Sequence, residues 1–377
     1  MKSNSTRNAP SRPAPRSFRG SKTALAAASC LAVASTAIAA DGYSRFVGLS
    51  DFSKFSKTQN EKGATVLLSS VIASPIDWNQ LVVSWNTAAP NGTRLGVEVK
   101  PIFNGGSEAK FFSMGTWSPD PKQSSSASKQ KDSDGRVETD TLVLSRPASG
   151  AQIRLKIDGK DQQSFALKFL GLSFCNTNIN PATPMPNKAA WGKIIQTPEL
   201  SQNSYPQEQG WCSATSMSMV LQRWASLLHR PEMDLDVPEV AAGVLDTRFG
   251  TGNWPFNCAF AGKFDGMRAY VTRFSDISEL EDWVVAGIPV IISAPFHLLA
   301  PGRHDTGSGH LVVCIGFTET GDVVINDPAT NLKKGQSVRH VYKRENVIRS
   351  WATSRNTVYL VYPVTAKLPE NRLGQWE

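Results

Sequence analysis

Paired cysteines are missing from this sequence. Only five occur in 377 residues, at positions 30, 175, 212, 258 and 314, and none forms a Cys-x-x-Cys pair. That spacing argues against a zinc site. After residue 40 no apolar run is long enough to cross a bilayer. No glycine loop of the Walker A form is present, and there is no internal repeat. Excess charge is also missing from the body of the chain. The net charge of +8 loses six units with Lys2, Arg7, Arg12, Arg16, Arg19 and Lys22, because residues 1–40 hold no acid. What remains is nearly neutral, so neither nucleic acid nor a membrane surface is an expected partner.

What is present begins with an export signal. The basic stretch Met1–Lys22 precedes the Ala-rich apolar run Ala24–Ala40, which ends in Ala37-Ile38-Ala39-Ala40 before Asp41. A basic segment, an apolar segment and an Ala-x-Ala ending form a secretory signal peptide, cleaved near Ala39 or Ala40. The mature chain is then expected to be periplasmic or extracellular. It would hold Cys175, Cys212, Cys258 and Cys314, where oxidation is permitted. If one is a catalytic thiol, at most one disulfide can form among the others.

With 40% hydrophobic and 19% charged residues, the chain is of globular composition and long enough for two domains. Residues 41–175 read as all-β. Gly96–Lys100 and Gln152–Asp158 alternate with period two, and Leu81–Trp85 and Thr141–Leu144 read as further strands. Turns are expected at Pro90-Asn91-Gly92 and Ser149-Gly150. The polar segment Pro119–Arg136 reads as a long exposed loop. The expectation is a β-sandwich or jelly roll. Pro181, Pro184 and Pro186 mark Asn176–Lys188 as the core of a linker over residues 176–193.

From residue 194 to 377 the pattern is α+β. Met217, Val220, Leu221, Trp224 and Leu228 share one face of a helix running from Ala214, with Ser213 or Thr215 able to cap it. Ser278-Glu279-Leu280-Glu281 has the form of a capping box, opening a helix that stops at Gly287. Ile288–Pro295, His310–Phe317, Asp322–Ile325 and Val358–Tyr362 read as strands, with a turn at Glu319–Gly321.

Chemistry sits on this frame. Cys212 stands at a helix start, where free N–H groups and the helix dipole lower a thiol pKa. His310 begins a strand behind Gly307-Ser308-Gly309, and Asp327 follows the next strand. A hairpin would place His310 beside Asp327, so that the carboxylate fixes the imidazole. Each alone has an ordinary reading: a buried small side chain, a surface His, an Asn-Asp-Pro turn. It is their conjunction that points to a nucleophile, a base and an orienting acid. Cys314, four residues beyond His310 and about 13 Å away by strand rise, reads as a buried, inert thiol.

Three blocks carry a family likeness: Ser201-Gln202 with Trp211-Cys212-Ser213-Ala214-Thr215-Ser216, then Gly309-His310-Leu311-Val312-Val313, then Val323-Val324-Ile325-Asn326-Asp327-Pro328-Ala329. Their order over Thr197–Tyr362 resembles the C39-like cysteine peptidase family, with Ala214 standing where related sequences often have Pro. The N-terminal half resembles a β-rich region carried by exported members. The resemblance implies a papain-like fold, peptide-bond hydrolysis without a cofactor, and Gln202 as oxyanion donor, with Gln207 and Gln209 as alternatives. Leader-peptide trimming by transporter-fused members does not carry over, since no membrane domain follows. Two other readings stay open: a transglutaminase-like acyltransferase with the same triad order, and a non-enzymatic module gripping a glycan or protein. Expected partners are a peptide or protein substrate and, through the β half, cell-wall peptide or glycan.

Overall fold

The computed structural model describes residues 42–105, 109–127, 129–205, 210–300 and 309–377. The expected signal peptide, Gln207 and Gln209 lie outside them. In the N-terminal half the strands are β1 (Ser44–Leu49), β2 (Ser56–Gln59), β3 (Thr65–Leu68), β4 (Ile72–Ala88), β5 (Arg94–Ile102), β6 (Phe112–Trp117), β7 (Gly135–Glu138), β8 (Thr141–Asp158) and β9 (Ala166–Cys175). They form one antiparallel nine-stranded sheet, with β1-β9-β4-β8-β3-β2 in order and β5 and β7 also paired to β8. The half is β-rich, as its alternating pattern predicts.

Two expectations there are corrected. Thr141–Leu144 and Gln152–Asp158 are parts of one 18-residue strand, and Ser149-Gly150 lies inside it rather than in a turn. Gly150 is small because a Cβ would stand 2.8 Å from the Ile72 carbonyl on β4. Pro119–Arg136 is not a long exposed loop. Ser124 and Ser126 are buried, and Ser125 pairs with Thr116. The turn at Pro90–Gly92 is formed, with the Thr93 N–H on the Pro90 carbonyl and Gly92 at φ +81°.

The C-terminal half contains α1 (Cys212–Leu228), α2 (Val237–Gly243), α3 (Trp254–Ala261), β10 (Met267–Arg273) and α4 (Ile277–Val285). Then come β11 (Val290–Ser293), α5 (Phe296–Leu299), β12 (Leu311–Phe317), β13 (Val323–Asn326), β14 (Arg339–Tyr342), α6 (Arg344–Ala352) and β15 (Thr357–Pro363). The sheet order is β10-β15-β11-β12-β13-β14, antiparallel throughout. Apolar Met217, Val220, Leu221 and Trp224 bury one face of α1, and small Ser213, Ala214 and Ser216 let its first turn approach the sheet. Ser216 Oγ donates to the Leu311 carbonyl at 3.0 Å, tying the helix start to β12.

Helix caps differ from the sequence reading. Trp211 precedes α1 without a side-chain cap; Ser213 instead meets the Tyr359 hydroxyl at 3.1 Å. The capping box of α4 uses Asp276 and Glu279, two residues ahead of Ser278 and Glu281. Glu281 is spent elsewhere, accepting from Trp191 Nε1 and Arg344 Nη1. Among the described residues no helix is long and apolar enough to cross a membrane, and Cys175, Cys212, Cys258 and Cys314 are all free thiols.

The described residues belong to one compact unit. Backbone from Asn176 to Asn187 carries no strand or helix. The halves on either side share apolar contacts: Phe256 and Ala259 of α3 enter the N-terminal core, and Phe46, Val82 and Phe169 enter the C-terminal one. The Asn86 amide donates to the Ala269 carbonyl at 2.6 Å and accepts from the Ala269 N–H at 3.1 Å. Ser126 and Ser124 bond Asp246 and Thr247 across the same boundary.

Phe256→Ala should therefore act on both halves. We expect a loss of about 3–5 kcal/mol in urea unfolding, in one transition. Chain nicked at exposed Met185 should co-elute as one particle in gel filtration, and the same nick in Phe256→Ala should release the halves. Two independent transitions in the intact protein would contradict the shared packing.

Candidate functional site

The site begins at the first residue of α1. Cys212 is 8% exposed, with its thiol at the helix end whose N–H groups have no intrahelical partner. The antiparallel pair β12–β13, with Cys314 opposite Ile325, brings the residue before β12 next to the residue after β13. Those residues are His310 and Asp327, 6% and 1% exposed. His310 Nε2 lies 2.8 Å from Asp327 Oδ1, which leaves Nδ1 for the hydrogen bond to Cys212. The Phe296 ring meets the imidazole edge-on, at 5.6 Å between centroids.

Asp327 is held from several sides. Tyr342 donates its hydroxyl to Oδ2 at 2.7 Å, and the Ala329 N–H donates to Oδ1 at 2.9 Å. Tyr342 ends β14, a strand the sequence reading did not identify. Its first two residues, Arg339 and His340, are half-buried, and Val341 between His340 and Tyr342 is exposed, so the apolar signal is weak.

These contacts set the ionisation. Burial opposes the Cys212 thiolate, but the His310 hydrogen bond and charge, with the Leu311 and Ser213 N–H groups, outweigh it and lower the thiol pKa. Burial likewise opposes the imidazolium, yet the charge and hydrogen bond of Asp327, then those of Cys212, raise His310 to about 10. Asp327 falls to about 2: burial would raise it, but His310, Tyr342 and Ala329 prevail. Both shifts favour the thiolate–imidazolium pair over the neutral thiol and imidazole. The other thiols lie the opposite way. Burial pushes Cys314 to about 12 and raises Cys258 well above the ordinary thiol value.

Gln202 sits near Asp327, its N–H on the Pro328 carbonyl at 2.9 Å. Its Oε1 is buried without a hydrogen-bond partner. It does not line the cleft over Cys212, which has a volume of about 920 Å³. That cleft is built from both halves. Trp211, Phe249, Trp254 and Leu311 come from one, and Gln80, Arg136 and Thr139–Thr141 from the other. Asp140 is buried there, accepting from the Trp254 N–H at 3.0 Å and the Thr141 hydroxyl at 3.1 Å. Burial raises its carboxyl to about 6 against these bonds. Neither Asp140 nor the neighbouring Arg273 was singled out from sequence, since nothing local marks a residue that only tertiary packing brings to the site.

Residues 194–359 match the model of the Peptidase_C39 like family, and residues 29–172 match that of the Peptidase C39 N-terminal domain. Together these cover most of the chain, and the chain belongs to the C39-like peptidase family. Among solved structures, a C39-like peptidase from Bacillus anthracis aligns at 20% identity and TM-score 0.32, over 48% of this chain and 97% of that one. A C-terminal CBM6 module from Zobellia galactanivorans aligns at 14% identity and TM-score 0.19, over 34% and 98%. No curated protein matches the chain.

A lowered thiol pKa means that thiolate persists below the usual range and is lost only as pH falls through the lowered value. Brief alkylation of the native protein with iodoacetamide should modify Cys212 alone, at a rate still high at neutral pH. His310→Ala should move that profile to higher pH. Peptide mass spectrometry reads both; equal modification of Cys314 would contradict the assignment.

Proposed function

We propose that the chain is an exported cysteine peptidase of papain-like fold, hydrolysing peptide or amide bonds through Cys212, His310 and Asp327. The observation that carries this reading is the buried His310–Asp327 contact of 2.8 Å beside a thiol of lowered pKa at a helix start. Family membership supports the hydrolase class, and the Ala-rich, Ala-x-Ala-ended N-terminus supports export.

In this reading the Cys212 thiolate attacks the carbonyl carbon of the scissile amide. The helix N-terminus favours the negative charge that develops on oxygen; Gln202, the donor that the family resemblance implies, sits beside Asp327 and outside the lining of the cleft. The imidazolium of His310 then gives its proton to the leaving nitrogen as the C–N bond breaks, leaving a thioester. Neutral His310 next takes a proton from water, whose oxygen attacks the thioester carbonyl and releases the acid and the thiolate. Asp327 keeps the ring oriented and stabilises its charged form throughout.

Cys212→Ala should abolish hydrolysis of a peptide library while shifting the thermal midpoint by only a few degrees. The dependence of kcat/KM on pH should be a bell. The active ion pair loses its thiolate as pH falls through the lowered Cys212 value, and loses its imidazolium as pH rises through about 10. Cleavage retained by Cys212→Ala would end the proposal.

A further inference from the structure

Arg273 is a buried cation that the triad does not use. It ends β10, is 2% exposed and lines the cleft over Cys212. Its Nε and Nη1 have no hydrogen-bond partner. A guanidinium remains charged at any working pH, and burying it without an acceptor is unfavourable. Asp140 shares the cleft and feels the charge of Arg273, which favours its ionised form against burial, but its oxygens accept from the Trp254 N–H and the Thr141 hydroxyl. Arg136 is balanced by Glu138 at 2.6 Å, while exposed Arg355 adds a further positive charge to the rim. Arg273 therefore brings to the lining of the cleft a guanidinium whose Nε and Nη1 no protein group hydrogen-bonds.

Sheet register places that guanidinium relative to the reacting groups. Arg273 pairs with Thr357, Ile292 with Val358, and Ser293 with Leu311. Arg273, Thr357, Ser293 and Leu311 thus end four successive strands at one side of the sheet, and His310 follows directly beyond Leu311. Three strand spacings amount to about 14 Å. An extended peptide covers that span, less the reach of the Arg side chain, in about two to four residues. The facing wall is the β7–β8 hairpin of the N-terminal half. Thr139 at its tip holds φ +54°, a left-handed conformation that a β-branched residue rarely adopts.

Resting on the peptidase reading above, we propose that Arg273 is the specificity-determining residue of this cleft. It selects substrates with a carboxylate two to four residues from the scissile amide, in a subsite walled by the β7–β8 hairpin. A carboxylate matches the guanidinium fork in charge and plane, and can accept two parallel hydrogen bonds where an amide cannot. The carboxylate could belong to an acidic side chain or to a chain terminus, and the chemistry of recognition is the same.

The test uses the whole chain. Cleavage of a mixed peptide library locates the preferred positions. Matched pairs then compare Glu with Gln there, and a free terminal acid with its amide, which separates the two sources. In the wild type kcat/KM should favour the carboxylate form by about ten- to a hundredfold. Arg273→Met should bring the ratio to about one, and Arg273→Lys should keep part of it. A ratio near one for every pair in the wild type, or a ratio unchanged in Arg273→Met, overturns the inference. Where Arg273→Met does not fold, the wild-type and Arg273→Lys ratios decide. If no peptide is cut, it is the peptidase reading that fails. Calorimetric binding of the same pairs to Cys212→Ala then decides the subsite, equal affinity for both forms overturning it.

Discussion

The six-stranded sheet ends in β10, and an edge strand offers a row of unpaired N–H and C=O groups. Here the edge is met by side chains rather than by another strand. Asn86, fully buried on β4, donates to and accepts from the backbone of Ala269, and Ser84 Oγ accepts from the Val271 N–H at 3.3 Å. One amide thus imitates a strand partner. Buried without its partner, that amide would be unfavourable, so the contact fixes where the N-terminal half sits. Gly262 allows the approach, since a Cβ there would stand 2.2 Å from the Asn86 side chain. Much else follows from this seating. It brings Ser124 and Ser126 onto Asp246 and Thr247, and carries the β7–β8 hairpin to the mouth of the cleft.

The charged centre obeys the same economy of buried groups. His310 and Asp327 are nearly out of water, where a lone charge is disfavoured. Each is ionised because the other is, and because Tyr342 and Ala329 occupy the remaining positions on the carboxylate. Cys212 joins that set through His310. Cys258 and Cys314 are as deeply buried, and there burial, joined by the charges of Asp140 and Glu281 respectively, raises the pKa values. Desolvation is common to all three thiols; the adjacent imidazole distinguishes one.

Much of this was legible in the residues. The period-two runs marked β5 and part of β8, the apolar run Leu81–Trp85 marked part of β4, and the spacing of Met217, Val220, Leu221 and Trp224 marked α1. The hairpin argument put His310 beside Asp327, and the contact is there. What escaped was long-range. Ser149-Gly150 carries a turn signal, yet a neighbouring strand passing closely explains the glycine as well. The polar run after Pro119 is buried by a partner more than a hundred residues away. The cap of α4 was misplaced by two residues because Ser-x-x-Glu and Asp-x-x-Glu overlap there. Tyr342, Asp140 and Arg273 act through packing that no local pattern encodes.

The division between what was and was not legible follows from how such a cleft is assembled. Cys212, His310 and Asp327 meet only because rigid elements hold them, and the helix start and strand ends that supply them leave periodic marks in the sequence. Recognition needs only that groups from separate elements face one space. Of the cleft lining, Gln80, Arg136 and Thr139–Thr141 come from a half with no part in the charged centre. A change in the hairpin could alter what the cleft accepts without touching Cys212 or His310. Asp140 limits that freedom, because its carboxylate anchors the N-terminus of α3 through Trp254, and α3 carries Phe256 and Ala259 into the opposite core. The wall of the cleft and the packing of the halves are therefore tied at one residue, so the lining of the cleft cannot vary independently of the contact between the halves.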